Sequence, residues 1–221
     1  MVIADNISSI KSTLPDSVTL VAVSKTKPNI ILIEAYNAGQ RIFGENKVQE
    51  LVGKEEALPK DIKWHMIGHL QSNKVKYIAP FVHLIHGVDS GKLLKEINKQ
   101  GKKNNRVVNV LLQVHIATEE SKFGFSQAEI NDLLQSPAFA EWKNVEVCGL
   151  MGMASNTKDV SQVAKEFTGL KLFFDELKGD VFSNRDQFKE LSMGMSGDYK
   201  IAIQHGSSMI RVGSSIFGIR Q

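Results

Sequence analysis

Cysteine is nearly absent: the chain of 221 residues has one, Cys148, so no internal disulfide and no thiolate metal cluster can form within it. Cys148 lies in the apolar run VEVCGLMGMA, where a thiol reads as a small buried hydrophobe, and such sparse use fits a reducing cytoplasm. Long hydrophobic runs are missing too. No stretch approaches the roughly 18 consecutive apolar residues of a membrane helix, and the opening MVIADNISSIKSTLPD has Asp5 and no unbroken apolar core, unlike a signal peptide. Neither sign of charge dominates, with 27 Lys and Arg against 24 Asp and Glu and a net charge of +3. The densest basic segment, KQGKKNNR at 99–106, falls between a predicted helix and strand and reads as a solvated turn. Neither nucleic acid nor membrane is therefore expected as a partner. No linker or low-complexity segment breaks the chain, which predicts one domain over 1–221.

What the sequence does have is a rhythm. Ile3, Ile7, Ile10 and Leu14 fall at helical spacing and predict a leading helix over 1–14, stopped by Pro15. Eight apolar, strand-like runs follow, from VTLVAVS to MIRVGSSIFG, and each but the last is clearly succeeded by a helical pattern. Strands apolar on both faces, joined by crossover helices, indicate a parallel sheet. Eight units suggest an α/β fold of the closed (β/α)8 TIM-barrel type; an open doubly wound sheet is the alternative. At roughly 27 residues per unit the repeats are short beside a typical barrel of about 250 residues, so large inserted loops are not expected.

In a barrel the chemistry gathers at the C-terminal ends of the strands. Strand side chains alternate, so Val21, Val23 and Lys25 in LVAVSKTKP share one face and Lys25 ends a row directed into the mouth. A partly desolvated amine there has a lowered pKa and can act as a nucleophile toward an aldehyde. A snorkelling lysine at a strand end is the structural alternative. In the last strand, MIRVGSSIFG, Gly213 allows close approach of an oxyanion and Ser214 offers a hydroxyl, as in the phosphate loops that follow strands seven and eight of many barrels. Arg211 is a fixed cation on an apolar strand and needs an acceptor, either a ligand or an inward carboxylate. The run ELSMGMSGD at the end of strand seven is rich in small residues and leaves room for a ligand. An amine, a phosphate cradle and an arginine for a pyridine nitrogen make the parts of a pyridoxal 5′-phosphate site.

The motifs AVSKTKP, FGENKVQEL, WHMIGHLQSNK, IHGVDS, SKFGF, GLMGMAS, LSMGMSGD and IRVGSSIFG together, in order and at the expected separations, resemble the pyridoxal phosphate homeostasis protein family. The resemblance runs from about residue 18 to the C-terminus. It implies a barrel like the N-terminal domain of alanine racemase, the fold-type III arrangement. It also implies that Lys25 holds pyridoxal 5′-phosphate as a Schiff base and that Arg211 faces the pyridine nitrogen, which weakens the ring as an electron sink. Gly213 and Ser214 match the phosphate loop, Ser192 and Met193 the neighbouring wall, and Asn46 a position near the cofactor. His65 is a further candidate, with a satisfied core histidine as its alternative. Departures are mild: Gly87 stands where serine is common, Ser214 replaces a frequent threonine, and the leading helix is short.

The resemblance implies an intracellular protein of vitamin B6 homeostasis, a monomer that binds the cofactor and passes it to apo-enzymes that use it. The competing reading is a small fold-type III racemase. Racemisation needs a proton acceptor on each face of the substrate, and Lys25 supplies one. Tyr36 and Tyr77 belong by periodicity to outer helices and Cys148 enters its strand near the wrong end, which leaves Tyr199 or a bound water as the candidate for the second acceptor.

Overall fold

The computed structural model describes residues 2–119 and 123–218; Ser121 and Lys122 of the SKFGF motif lie outside them. Eight parallel strands close on themselves in sequence order: β1 (Thr19–Val23), β2 (Ile42–Glu45), β3 (Lys63–Met66), β4 (Leu84–Val88), β5 (Val108–Val114), β6 (Val145–Gly152), β7 (Glu190–Met195) and β8 (Met209–Val212). Closure is made by β1 against β8, with Leu20 opposite Ile210 and Val21 opposite Arg211. This registry excludes the open sheet and gives a (β/α)8 barrel. The helices are α1 (Val2–Lys11), α2 (Asn29–Asn37), α3 (Val48–Ala57), α4 (Val75–Ile78), α5 (Gly91–Lys103), α6 (Gln127–Gln135), α7 (Pro137–Ala140), α8 (Val160–Gly179), α9 (Tyr199–Gln204) and α10 (Ser214–Phe217). Among the described residues, no helix is long and apolar enough to cross a membrane.

The alternation along each strand divides the apolar residues into two sets. Leu20 and Ala22 of β1, with Phe43, Trp64, Met66 and Ile85, face outward into the layer under the helices. Val21, Leu84, Leu111, Cys148, Met151 and Met209 form a separate cluster inside the barrel. Local signals set the helix starts. Ser126 and Glu129 make a reciprocal capping box on α6, the Ser90 hydroxyl accepts from Leu93 N–H on α5, and Asp159 caps α8; each relieves donors that the first turn leaves unpaired.

Three local features depart from the periodic pattern. The leading helix stops at Lys11 rather than at 14, because the Ser12 and Thr13 hydroxyls donate back to the carbonyls of Ser9 and Ile10 and round the chain into a turn. The segment between β3 and β4 opens as a 3-10 turn over Ser72–Lys74 before α4 begins. Between β5 and β6 the pairing slips from Val110 opposite Val147 to Leu111 opposite Gly149, so Cys148 is the extra residue of a bulge. Gly149 there has φ +151°.

Candidate functional site

Past the end of β1 the Lys27 N–H donates to the Ser24 carbonyl at 3.1 Å, closing a four-residue turn with Lys25 and Thr26 at its centre. Thr26 has φ +65° while Lys25 is not among the positive-φ residues, the signature of a type II turn, whose third position favours glycine. A β-branched residue in the left-handed region costs about 1–2 kcal/mol. The turn is held from behind by α3. Glu50 Oε1 accepts from the Thr26 N–H at 2.6 Å, and the Lys54 ammonium donates to the Ser24 carbonyl at 2.8 Å, Glu45 Oε1 at 2.8 Å and Glu50 Oε1 at 2.6 Å. Ser24 Oγ donates to the same Glu45 oxygen. Lys54 and Glu45 are buried, and burial raises the Glu45 pKa against the opposing pull of Lys54.

The held turn presents Lys25 to a cavity of about 450 Å³ at the C-terminal ends of the strands, within the size range of small-molecule sites. Lys25 and Asn46 line it from one side, and Arg211, Gly213, Ser214 and Ser196 from the strands that close the barrel. The Gly213 N–H donates to Ser196 Oγ at 3.2 Å, and a side chain at 213 would meet the Val23 carbonyl at 3.0 Å, so glycine permits the end of β8 to pack against β1. Directly after it α10 begins at Ser214, and its Ile216 and Phe217 N–H groups turn back onto the Gly213 carbonyl at 3.0 and 2.9 Å. The Lys27 ammonium, also at the cavity, donates to the Phe217 carbonyl at 3.0 Å.

Arg211 is 4% exposed. It donates through Nη1 to the Ser192 carbonyl at 2.9 Å and hydroxyl at 2.5 Å, and through Nη2 to the Gly152 carbonyl at 3.1 Å. No salt bridge to it exists among the described residues, which removes the inward carboxylate as its explanation. Burial brings its pKa down to about 10, with Asp198 acting in the opposite sense. Below it runs a column of polar side chains. Ser192 Oγ, already accepting from Arg211, has one proton to give, and His86 Nδ1 lies at 3.1 Å. His86 Nε2 in turn faces His65 Nδ1 at 2.9 Å, and His65 Nε2 has no hydrogen-bond partner among the described residues. The two tautomers are therefore coupled: the role His86 Nδ1 takes toward Ser192 sets the role of His65 Nδ1.

Burial keeps both histidines neutral, taking the His65 pKa down to about 3 and that of His86 well below its usual value. An unfolded chain takes up these protons near pH 6.5, so below that pH it binds more protons than the folded protein and stability falls. The contribution of His65 is complete above pH 6.5 and is lost as the pH falls toward 3. Between pH 8 and pH 5 this amounts to about 2 kcal/mol for His65 alone. Urea melts at the two pH values should therefore differ less, by about that amount, in His65→Gln than in the wild type. Equal pH slopes in the two proteins would contradict the assignment.

Of the residues singled out from sequence, Lys25, Asn46, Arg211, Gly213 and Ser214 line one cavity. Ser192 does not line it but lies underneath, holding Arg211. Met193 is fully buried in the outer layer: one residue along a strand reverses the face, so it points away from the cavity that Ser192 supports. His65 is deeper still and borders a cavity of about 320 Å³ at the opposite mouth, with Lys63, His83, Cys148 and Lys189. Tyr199 packs against the outer core and does not line the upper cavity. The Cys148 thiol is pushed up to about 11 by burial, which leaves it unreactive. Sequence reasoning did not single out Lys27, Ile67, Met153 or Met195 as lining residues. Lys27 was legible from its spacing of two from Lys25.

A family model described as the N-terminal domain of alanine racemase matches residues 2–221. A pyridoxal phosphate homeostasis protein of Aquifex aeolicus (strain VF5) is 39% identical over 203 residues, covering 91% of this chain and 87% of the relative. The structure of PipY from Synechococcus elongatus PCC7942 without PLP superposes with a TM-score of 0.91 at 36% identity, covering 98% of this chain and 100% of that one. The same protein with PLP bound gives 0.88 over the same shares of both chains. Alanine racemase from Bartonella henselae, solved with covalently bound pyridoxal phosphate, gives 0.74 at 18% identity and covers 99% of this chain and 58% of the racemase; that likeness is one of fold.

Proposed function

We propose, from the premise that this chain belongs to the pyridoxal phosphate homeostasis protein family, that it binds pyridoxal 5′-phosphate through Lys25 and serves in the homeostasis of that cofactor without turning over a substrate. The observation that carries this reading is Arg211: a buried guanidinium with no salt bridge among the described residues, lining the same cavity as a lysine amine. The donor set fits the cofactor. Bound there, it supplies an aldehyde that condenses reversibly with a primary amine. Lys25 provides that amine. Arg211 offers a cation to a ring nitrogen and so opposes its protonation. The Ser214 and Ser196 hydroxyls suit an anionic tail, and Asn46 adds a polar group on the side of the cavity that Lys25 lines.

Retention rather than catalysis is supported by what surrounds the amine. Tyr199 packs outside the cavity, and the Lys27 ammonium is engaged by the Phe217 carbonyl. The reading extends to a monomer of the cytoplasm that hands its cofactor to apo-enzymes using the same group. Adding pyridoxal phosphate should give a visible absorbance band that Lys25→Ala lacks, and borohydride should fix the label on Lys25. Exchange of the α-proton of L-alanine in deuterated water should stay at the Lys25→Ala level. A label on another residue, or exchange above that control, overturns the reading.

A further inference from the structure

We infer that Glu50 and Lys54 are positioning residues for Lys25, clamping the turn that carries it in a shape its own sequence does not favour; this rests on the reading of Lys25 given above. The two contacts fall on the backbone to either side of the amine-bearing residue. Glu50 accepts the N–H of Thr26 at 2.6 Å and Lys54 reaches the carbonyl of Ser24 at 2.8 Å. Both come from one face of α3, four residues apart. Nothing in residues 24–27 selects the left-handed conformation at Thr26: its side chain is β-branched and the residue is exposed, so no packing of its own holds it there. An acceptor placed to receive its N–H does.

The chemistry of the clamp points the same way. An i,i+4 Glu–Lys pair on an open helix face contributes little. Here the lysine is 5% exposed and an unpaired ammonium would be costly to bury, yet it is drawn in to a carbonyl and two carboxylates at the base of the turn. The arrangement fixes backbone position at Ser24 and Thr26, and through them the origin of the Lys25 side chain. A preorganised amine loses less freedom on capture of its ligand.

Two readouts test this, one of them independent of the cofactor. In the apo-protein, amide hydrogen exchange in a peptide spanning 24–28 should rise about tenfold in Glu50→Ala and stay at the wild-type level in Glu50→Gln, whose Oε1 still accepts from Thr26. Pyridoxal phosphate affinity should fall about tenfold in Glu50→Ala and recover in Glu50→Gln, with the urea midpoint of Glu50→Gln close to that of the wild type. In a Thr26→Gly background, where positive φ is unstrained, Glu50→Ala should cost less than threefold in affinity. If Glu50→Ala matches the wild type in both exchange and affinity, or costs as much in the Thr26→Gly background as with Thr26 in place, the inference fails. If wild-type protein takes no label on Lys25, the functional reading fails, while the exchange measurement still reports on the clamp.

Discussion

Lys54→Met is expected to destabilise the fold by about 3–5 kcal/mol, the cost of removing one partner from a buried ion pair. The Glu45 carboxylate is fully buried, and its Oε2 already lacks a partner. Its other oxygen is served by Lys54 and Ser24. Without the ammonium, Glu45 keeps one hydroxyl donor, and the Ser24 carbonyl loses one of its two donors. The double variant Lys54→Met with Glu45→Met should recover a large part of the loss, since no unpaired charge then remains inside. Urea denaturation of the three proteins at neutral pH measures both effects. A single variant within 1 kcal/mol of the wild type, on the order of an exposed pair, would show that the cluster carries no such load.

Gly149→Ala should be at least as severe, about 4 kcal/mol or more, which places it among the exceptional single substitutions. A β-carbon there would lie 1.8 Å from the Glu190 carbonyl oxygen and 2.7 Å from its carbon. The obstacle is backbone of the neighbouring strand, which cannot rotate aside as a side chain would. The Lys189 N–H is tied to the Cys148 carbonyl at 2.9 Å, so separating β6 from β7 breaks the ladder at the bulge. The damage should extend upward, because the Gly152 carbonyl three residues on supports Arg211. Gly169→Ala is the control. It lies within α8 with nothing within 4 Å of an added β-carbon, and should gain up to about 1 kcal/mol from helix propensity. Soluble yield and urea midpoint separate the two, and equal stability of both variants would refute the steric argument.

The barrel was legible because its signals are local and repeated. Strands buried on both faces read as apolar runs, and serine, glycine and proline mark the turns between them. Lys25 and Arg211 were legible for a different reason: each is a cation where alternation demands an inward residue, and such a group calls for an explanation. Met193 was not separable from Ser192 by motif likeness, since a motif treats neighbours alike whereas the pleat sends them to opposite sides of the wall. The clamp was invisible because Glu50 and Lys54 have the spacing of an ordinary surface pair, and only the docking of α3 behind the first loop buries Lys54 and half-buries Glu50. The His65, His86, Ser192 and Arg211 column draws one residue each from β3, β4, β7 and β8; no window along the sequence contains it. The bulge at Cys148 likewise depends on how two neighbouring strands pair.

The closing pair of strands joins the beginning of the chain to its end. The turn bearing Lys25 follows the first strand, whereas Arg211, Gly213 and Ser214 arrive with the last, and Asn6 of α1 donates to the Ile216 carbonyl across that seam. A nascent polypeptide therefore possesses its amine long before it possesses the opposing cation and the glycine-serine turn. The cavity is complete only once β8 has paired with β1, so its two walls depend on a contact between strands far apart in the chain, the kind of pairing that forms slowly.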